Sequence, residues 1–198
     1  MAARSGERRL QILQAIAGML EEPQGDKITT ALLARRLGVS EAALYRHFAS
    51  KAQMFEGLIE FIESGLFTTI NKIGAEEPSG SRQAELIVAL LLGFAQKNRG
   101  LTRVLIGEAL VNEDARLQAR INQLLDRVET ALKQALRIAA SDSELSPGED
   151  IAAAANLLLC YAIGRWQLYV KSGFVRDPMA QWPQQWPLLL AGCLSQPA

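Results

Sequence analysis

The sequence predicts an all-helical protein, on three observations. Apolar residues recur at helical spacing along almost the whole chain, as in Leu10, Leu13 and Ile16, and no segment shows the sustained alternation of a strand. The pairs Asn-Gly and Asp-Gly, which are typical of tight hairpins, do not occur. Breaks rich in Gly, Pro and Ser, such as residues 76–80, separate about nine helical segments.

Composition limits the class of protein. The chain has 198 residues, of which 49% are hydrophobic, so it can bury a core as one large domain or two small ones. The apolar runs are shorter than the roughly 20 residues of a membrane span, and the polar first ten residues contain no secretion signal. We therefore expect a cytoplasmic protein that does not enter a membrane.

Charge is unevenly distributed along the chain. The net charge is zero, yet residues 1–51 hold eight Lys and Arg against five Asp and Glu, an excess of +3. A basic N-terminal quarter suits a protein that meets a polyanion at one end. An excess of three charges also arises by chance, so this observation needs support from a motif.

A candidate helix-turn-helix supplies that motif. Two short amphipathic segments, Thr30–Leu37 and Glu41–Phe48, are separated only by Gly38-Val39-Ser40. This gap is right for a tight turn, with glycine in a left-handed conformation. A second helix held rigidly across the first can enter the DNA major groove. Periodicity alone is equally compatible with an ordinary helical hairpin inside a bundle.

The ends of these helices predict contacts with DNA. Thr29 or Thr30 is placed to cap the second helix, whose free N–H groups can meet a phosphate. Ser40 is placed to cap the third helix. The first turn of that helix, Glu41-Ala42-Ala43, then faces base edges, where small alanines allow close approach.

Polar residues farther along the third helix and at the start of the fourth predict contacts with the DNA backbone. Tyr45 and His47 can donate hydrogen bonds to phosphates from the flank of the third helix. Lys51, at the start of the fourth helix, can add another phosphate contact. The predicted DNA-binding residues are Thr29, Thr30, Ser40, Glu41, Ala42, Ala43, Tyr45, His47 and Lys51.

The order of residues in this region is specific to one family. The segment Ala43–Lys51 reads ALYRHFASK and resembles the signature of the TetR family of DNA-binding proteins, a turn followed by LYxHFxxK. The resemblance implies an all-α homodimer, with a three-helix DNA-binding domain at 1–51 and a helical dimerisation and partner-binding body at 52–198. The family dimerises through its last two long helices, and the small, apolar segment at 151–170 suits such an interface.

The resemblance continues beyond the DNA-binding end. Residues 8–137 resemble the nucleoid occlusion branch of the family, notably in the segments SKAQMFEGLIEFIE and LLLGFAQKNRGLTRVL. Members of that branch bind palindromic chromosomal sites and contact the C-terminal tail of the tubulin-like division protein FtsZ, blocking ring assembly over the nucleoid. The resemblance implies a tail-binding groove between the fourth and fifth helices. Its matching positions are Phe61, Thr69, Leu90, Gly93, Lys97 and Asn98.

The chemistry of these positions fits an acidic peptide. Gly93 can open a groove, Phe61 and Leu90 can line it, and Lys97 can attract negative charge. Thr69 departs from the pattern, which has a basic residue there. Simple core packing is the competing interpretation of Phe61 and Leu90.

Two other functional classes were weighed. A ligand-responsive TetR-type repressor is the alternative function, in which Trp166, Trp182 and Trp186 line a pocket instead of anchoring the core. An enzyme is not expected, because no GxGxxG, P-loop or HExxH pattern occurs. No metal or other cofactor is predicted, because the chain has one His and two distant cysteines, Cys160 and Cys193, that we expect to be reduced and buried.

Overall fold

The computed structural model describes residues 2–22, 28–145, 148 and 150–193, without the side chains of 2–5 and 193. This part of the chain is helical and contains no strand, which confirms the predicted fold class. Its helices are α1 Ala2–Leu20, α2 Thr30–Arg36, α3 Glu41–Tyr45, α4 Lys51–Glu76, α5 Gly80–Lys97, α6 Arg99–Leu105, a short 3-10 turn Glu108–Leu110, α7 Ala115–Ser141, α8 Ile151–Lys171 and α9 Trp182–Cys193.

Contacts group the chain into two compact units. The first unit comprises Met1–Ile62 with Asn98–Ile121, and the second comprises Glu63–Lys97 with Asn122–Ala198. The first unit therefore contains the candidate helix-turn-helix together with α6 and the start of α7. The domain division at residue 51 stays a prediction.

Helix α6 packs closely against α1 in the first unit. A Cβ atom on Gly100 would lie 2.1 Å from the carbonyl oxygen of Ala17, so only glycine allows this approach. The sequence predicted that Arg99 and Gly100 end a helix, and this was wrong. Both residues lie inside α6, because the close contact with α1 needs a glycine within the helix and not at its end.

A buried tryptophan fills the middle of the second unit. The side chain of Trp166 on α8 is 0% exposed, and its indole N–H donates a 3.0 Å hydrogen bond to the carbonyl of Leu91 on α5. Trp182 and Trp186 on α9 are also buried. All three side chains thus pack in the body, as the core-anchoring interpretation predicted.

The start of α5 is held by the end of α7. Ser79 caps α5 by accepting a 3.2 Å hydrogen bond from the N–H of Arg82, whereas the sequence suggested Ser81. The carboxylate of Glu144 accepts hydrogen bonds from the backbone N–H of Ser81 at 2.8 Å and from the hydroxyl of Ser79 at 3.1 Å. Burial alone would raise the pKa of Glu144, but the hydrogen bonds from Ser81, Ser79 and Gly80 together lower it.

Helix α8 has one buried and one exposed apolar face. Leu158 and Ala162 are at most 1% exposed, whereas Leu157 and Leu168 are 48% and 44% exposed. Among the described residues it is the one helix long and apolar enough to cross a membrane, a test that core helices also pass. The short apolar runs of the sequence had not indicated this. Helix α8 packs against α5 and α9.

The two cysteines differ in what the structure says of them. Cys160 was predicted to be buried, and the structure shows that it is exposed. The reason is that its apolar sequence context belongs partly to the outward face of α8. The side chain of Cys193 lies outside the described residues.

Candidate DNA-binding and partner-binding sites

The first site is built from capped helix ends. Thr29 is the N-cap of α2, because its extended backbone lets the hydroxyl accept a 3.1 Å hydrogen bond from the N–H of Leu32. Thr30 has another partner, since its hydroxyl donates a 2.6 Å hydrogen bond to the carboxylate of Glu41. This bond ties the start of α2 to the start of α3.

A tight turn connects the two helices, as predicted. Gly38 has a φ of +63°, the left-handed conformation that glycine adopts most readily. The N–H of Val39 donates back to the carbonyl of Ala34 at 3.0 Å. Ser40 then caps α3 by accepting a 3.3 Å hydrogen bond from the N–H of Ala43. The orientation of α3 is thus fixed by local bonds at its first turn.

Helix α3 presents one face and buries the other. Leu44 and Phe48 are each 1% exposed. Glu41 and Ala42 are exposed, Ala43 is half-buried, and Tyr45 is 46% exposed. The helix ends at Tyr45, three residues earlier than predicted, because the chain tightens into a turn in which Phe48 donates to the Leu44 carbonyl. The structure therefore brings together the predicted base-facing and backbone-facing residues of α3.

His47 is held at the end of this turn. Its side chain is half-buried, and its Nδ1 atom is buried without a hydrogen-bond partner among the described residues. Any phosphate contact from His47 therefore has to use Nε2. The carbonyl of His47 accepts a 2.8 Å hydrogen bond from Arg9 on α1, a residue that sequence reasoning did not select.

Lys51 has a protein partner that the sequence did not indicate. Its ammonium lies 2.5 Å from a carboxylate oxygen of Glu113, and the side chains of the pair are 22% and 12% exposed. Nothing in the sequence could have identified this pair, because 62 residues separate its members. The phosphate contact of Lys51 stays a prediction, and any such contact shares the ammonium with Glu113.

Phe61 is exposed in the first unit. It is 50% exposed, and the side chain of Leu10 on α1 is 44% exposed. Both residues line an apolar groove of about 70 Å³ together with side chains from α4 and α6, including Leu58 and Leu101. The competing interpretation, core packing of Phe61, was therefore wrong. Sequence periodicity missed Leu10, because an exposed leucine on an amphipathic helix has no distinctive spacing.

Asn98 begins α6 at the edge of the first unit. It is the N-cap residue of that helix, although its side chain makes no capping hydrogen bond. Its carbonyl accepts two 2.9 Å hydrogen bonds from Thr102, one from the N–H and one from the hydroxyl. The backbone of Asn98 is thereby fixed at the junction of α5 and α6.

The other predicted partner residues lie in the second unit. Leu90 is half-buried and Lys97 is exposed on α5. Gly93 has open space where a side chain would begin, since no atom lies within 4 Å of an added Cβ. Thr69 is half-buried, and its hydroxyl donates a 3.2 Å hydrogen bond to the carbonyl of Gly65 within α4. The six residues divide between the two units, so their joint groove stays a prediction.

Metal binding finds no support among the described residues. This part of the chain has no group of three or more His, Cys, Asp or Glu side chains that could hold a metal ion.

Comparison with known proteins gives the same assignment at both ends of the chain. A family model of bacterial regulatory proteins of the tetR family matches residues 12–58, and a model of the SlmA-like tetracyclin repressor-like C-terminal domain matches residues 81–193. The chain is 54% identical over 185 residues to the nucleoid occlusion factor SlmA of Alteromonas mediterranea, covering 93% of this chain and 95% of that protein.

A second relative and a solved structure agree with these matches. The chain is 52% identical over 189 residues to the nucleoid occlusion factor SlmA of a Marinomonas species, covering 96% of each protein. A TetR transcription regulator from Haloarcula marismortui has a TM-score of 0.80 at 17% identity, covering 96% of this chain and 100% of that one. At this identity the structural likeness shows the fold alone.

Proposed function

The chain belongs to the TetR family and, within it, to the SlmA nucleoid occlusion factors, and on this premise we propose how its surfaces carry out that function. It is a DNA-binding nucleoid occlusion factor of TetR fold. In our proposal, a homodimer on palindromic chromosomal sites holds the C-terminal tail of FtsZ and prevents ring assembly over the nucleoid. The protein then works in the cytoplasm, associated with the nucleoid.

The observation that carries DNA binding is the rigid presentation of α3. Its start is capped by Ser40 and bonded through Glu41 to Thr30, while Ala42 and Tyr45 remain exposed. A helix fixed in this way can place its first turn against base edges without losing side-chain entropy on binding. We propose that Ala42 and Ala43 face bases and that Tyr45, His47 and Lys51 contact the backbone.

Dimerisation supplies the second half-site. The exposed face of α8 carries Leu157, Cys160, Gly164 and Leu168, which together make an apolar surface with a small central residue. A self-complementary surface of this kind suits a two-fold symmetric contact with a second copy of the chain. Such a dimer places the two α3 helices about 34 Å apart, one turn of DNA.

Binding of the FtsZ tail is supported by exposure and charge. Phe61 offers an exposed aromatic ring beside an apolar groove. In the second unit, Gly93 leaves space for a peptide backbone, and the exposed Lys97 carries a positive charge at the end of α5. A cation at a helix C-terminus is also favoured by the helix dipole, so it is held near that position.

The alternative function, release from DNA by a small ligand, requires a cavity in the body. Trp166 is completely buried and bonded to α5 where such a ligand would lie between α5 and α8. A filled position of this kind supports the FtsZ-binding function over the ligand-responsive one.

The proposal is tested by following FtsZ assembly. Duplexes are first selected from genomic fragments by the protein itself, and light scattering then reports FtsZ polymers formed with GTP. We expect the protein with its selected duplex to suppress polymer formation at concentrations where the protein with a random duplex has little effect. Equal polymer levels with both duplexes and without protein would show that the DNA-bound protein does not act on FtsZ.

A further inference from the structure

Arg9 on α1 contacts the end of α3 in two ways. Its guanidinium donates a 2.8 Å hydrogen bond to the carbonyl of His47. The same group lies over the ring of Phe48, 4.2 Å from the ring centroid. Phe48 is 1% exposed, so Arg9 covers an aromatic side chain of the first unit's core. One side chain therefore joins α1 to both residues that follow the recognition helix.

Both contacts suit a group that orients α3. The carbonyls at the C-terminal end of a helix lack partners within the helix and carry partial negative charge. Helix α3 has only five residues, so few bonds of its own fix its direction. A cation that bonds the first carbonyls beyond it and stacks on an aromatic ring limits how far that end can tilt.

The outer edge of the same guanidinium faces solvent. Arg9 is an exposed residue, and a guanidinium has five N–H donors. The bond to His47 occupies one nitrogen, and stacking on Phe48 leaves the planar edge open for in-plane hydrogen bonds. The edge lies beside the turn that carries Tyr45 and His47, the two residues proposed to meet the DNA backbone. Arginine binds phosphate by donating two parallel N–H bonds, for which such an edge is suited.

We infer that Arg9 binds a DNA phosphate while it positions the recognition helix, so that one guanidinium serves both the backbone contact and the orientation of α3. This inference rests on the proposed DNA-binding function. The chemical group recognised is a phosphodiester of double-stranded DNA. Residues selected from the helix-turn-helix alone do not include Arg9, because it lies 38 residues before His47.

The chain offers a matched control in the adjacent arginine. Arg8 donates a 2.8 Å hydrogen bond to Gln11, one turn further along α1. Arg8→Gln therefore removes the same charge from almost the same place, while the contacts of α1 with His47 and Phe48 remain.

The experiment measures affinity for a selected and a random duplex by fluorescence anisotropy over a series of salt concentrations. Arg9→Gln should weaken binding to the random duplex about tenfold and reduce the slope of log K against log salt by about 0.9, the value for one lost phosphate contact. Arg8→Gln should keep a slope within error of the unsubstituted protein. Equal slopes for Arg9→Gln and the unsubstituted protein, or equal losses for the two variants, would overturn the phosphate contact.

Arg9→Lys separates the two parts of the role. An ammonium can retain a phosphate contact, but it cannot stack and present a planar edge together. We expect Arg9→Lys to recover the salt slope while the ratio of selected to random affinity stays several-fold lower. Full recovery of that ratio would overturn the positioning role, and this variant also decides the question if Arg9→Gln folds poorly. Absence of salt-dependent DNA binding by the unsubstituted protein would instead count against the proposed function itself.

Discussion

Lys51 and Glu113 form a partly buried ion pair in which the ammonium and carboxylate lie 2.5 Å apart. The pair joins the first residue of α4, next to the recognition helix, to the segment just before α7. A positive charge proposed to meet DNA is thus held by a residue that is far away in the sequence. Loss of either member would leave its partner as a partly buried charge without this contact, which is unfavourable.

Substitution of this pair separates its effects on DNA binding and on folding. Lys51→Gln should weaken binding to any duplex and reduce the salt slope by about 0.9, because one phosphate contact is lost. Glu113→Gln should strengthen binding to random DNA a few-fold, because the ammonium no longer shares its charge. Each variant should lower the free energy of unfolding by about 1–3 kcal/mol, measured by urea titration.

The control for this pair is a surface ion pair on α4. Lys72 and Glu76 lie 3.8 Å apart and are 68% and 67% exposed. Glu76→Gln should change stability by less than about 0.5 kcal/mol and leave the salt slope alone. A Lys51→Gln protein whose salt slope equals that of the unsubstituted chain would contradict the phosphate contact.

The exposed first turn of α3 is expected to read bases. Ala42→Leu keeps a strong helix former but adds a bulky side chain where close approach is needed. Affinity for the selected duplex should fall at least tenfold, while affinity for a random duplex changes less than twofold, as measured by competition binding. Ala140→Leu, on an exposed position near the end of α7, is the matched control and should change neither affinity. Equal losses on both duplexes would show that Ala42 does not face bases.

The contact between α1 and α6 depends on one glycine. Gly100→Ala should lower the free energy of unfolding by about 1–3 kcal/mol, because its Cβ would lie 2.1 Å from the backbone oxygen of Ala17. Gly74→Ala is the control, since no atom lies within 4 Å of an added Cβ there, and it should stabilise α4 by about 0.5–1 kcal/mol. If thermal unfolding gave both variants the same stability, the close approach of the two helices would be wrong.

Acid should weaken the junction between α5 and α7 through Glu144. Hydrogen bonds keep the pKa of this carboxyl below its ordinary value of 4.5 in the folded protein. Its stabilising contribution is therefore complete above the pKa of the unfolded chain, near 4.5, and disappears as the pH falls through the lower folded value. At pH 7, Glu144→Gln should cost about 1–2 kcal/mol, because charge-assisted hydrogen bonds are replaced by neutral ones.

The measurement is the difference in melting temperature between the unsubstituted protein and Glu144→Gln over a pH series. The difference should shrink below pH 4.5 and vanish at lower pH. A difference that is the same at pH 7 and pH 4 would contradict a role for the charged carboxylate. Glu76→Gln, on an exposed residue of α4, controls for the general effect of removing one negative charge.

Sequence reasoning succeeded where the determinants are local. Ser40 and Gly38 act on residues within one turn of themselves, so their types and spacing predicted the cap and the left-handed turn. It failed where distant segments meet. The place of Gly100 inside α6 is decided by Ala17 on another helix, and the partner of Lys51 is decided by the path of the chain before α7. Neither relation leaves a periodic signal in the sequence.

Capture of the FtsZ tail by the DNA-bound protein is the central claim, and one binding titration tests it most directly. A fluorescent peptide of the FtsZ C-terminal tail is titrated with protein bound to its selected duplex. Lys97→Glu reverses a charge on α5, and Lys72→Glu reverses an exposed charge on α4 as the control. We predict saturable binding by the unsubstituted protein and by Lys72→Glu, and at least a tenfold loss for Lys97→Glu with DNA affinity unchanged. Absence of peptide binding by the unsubstituted protein on its duplex, or full binding by Lys97→Glu, would contradict it.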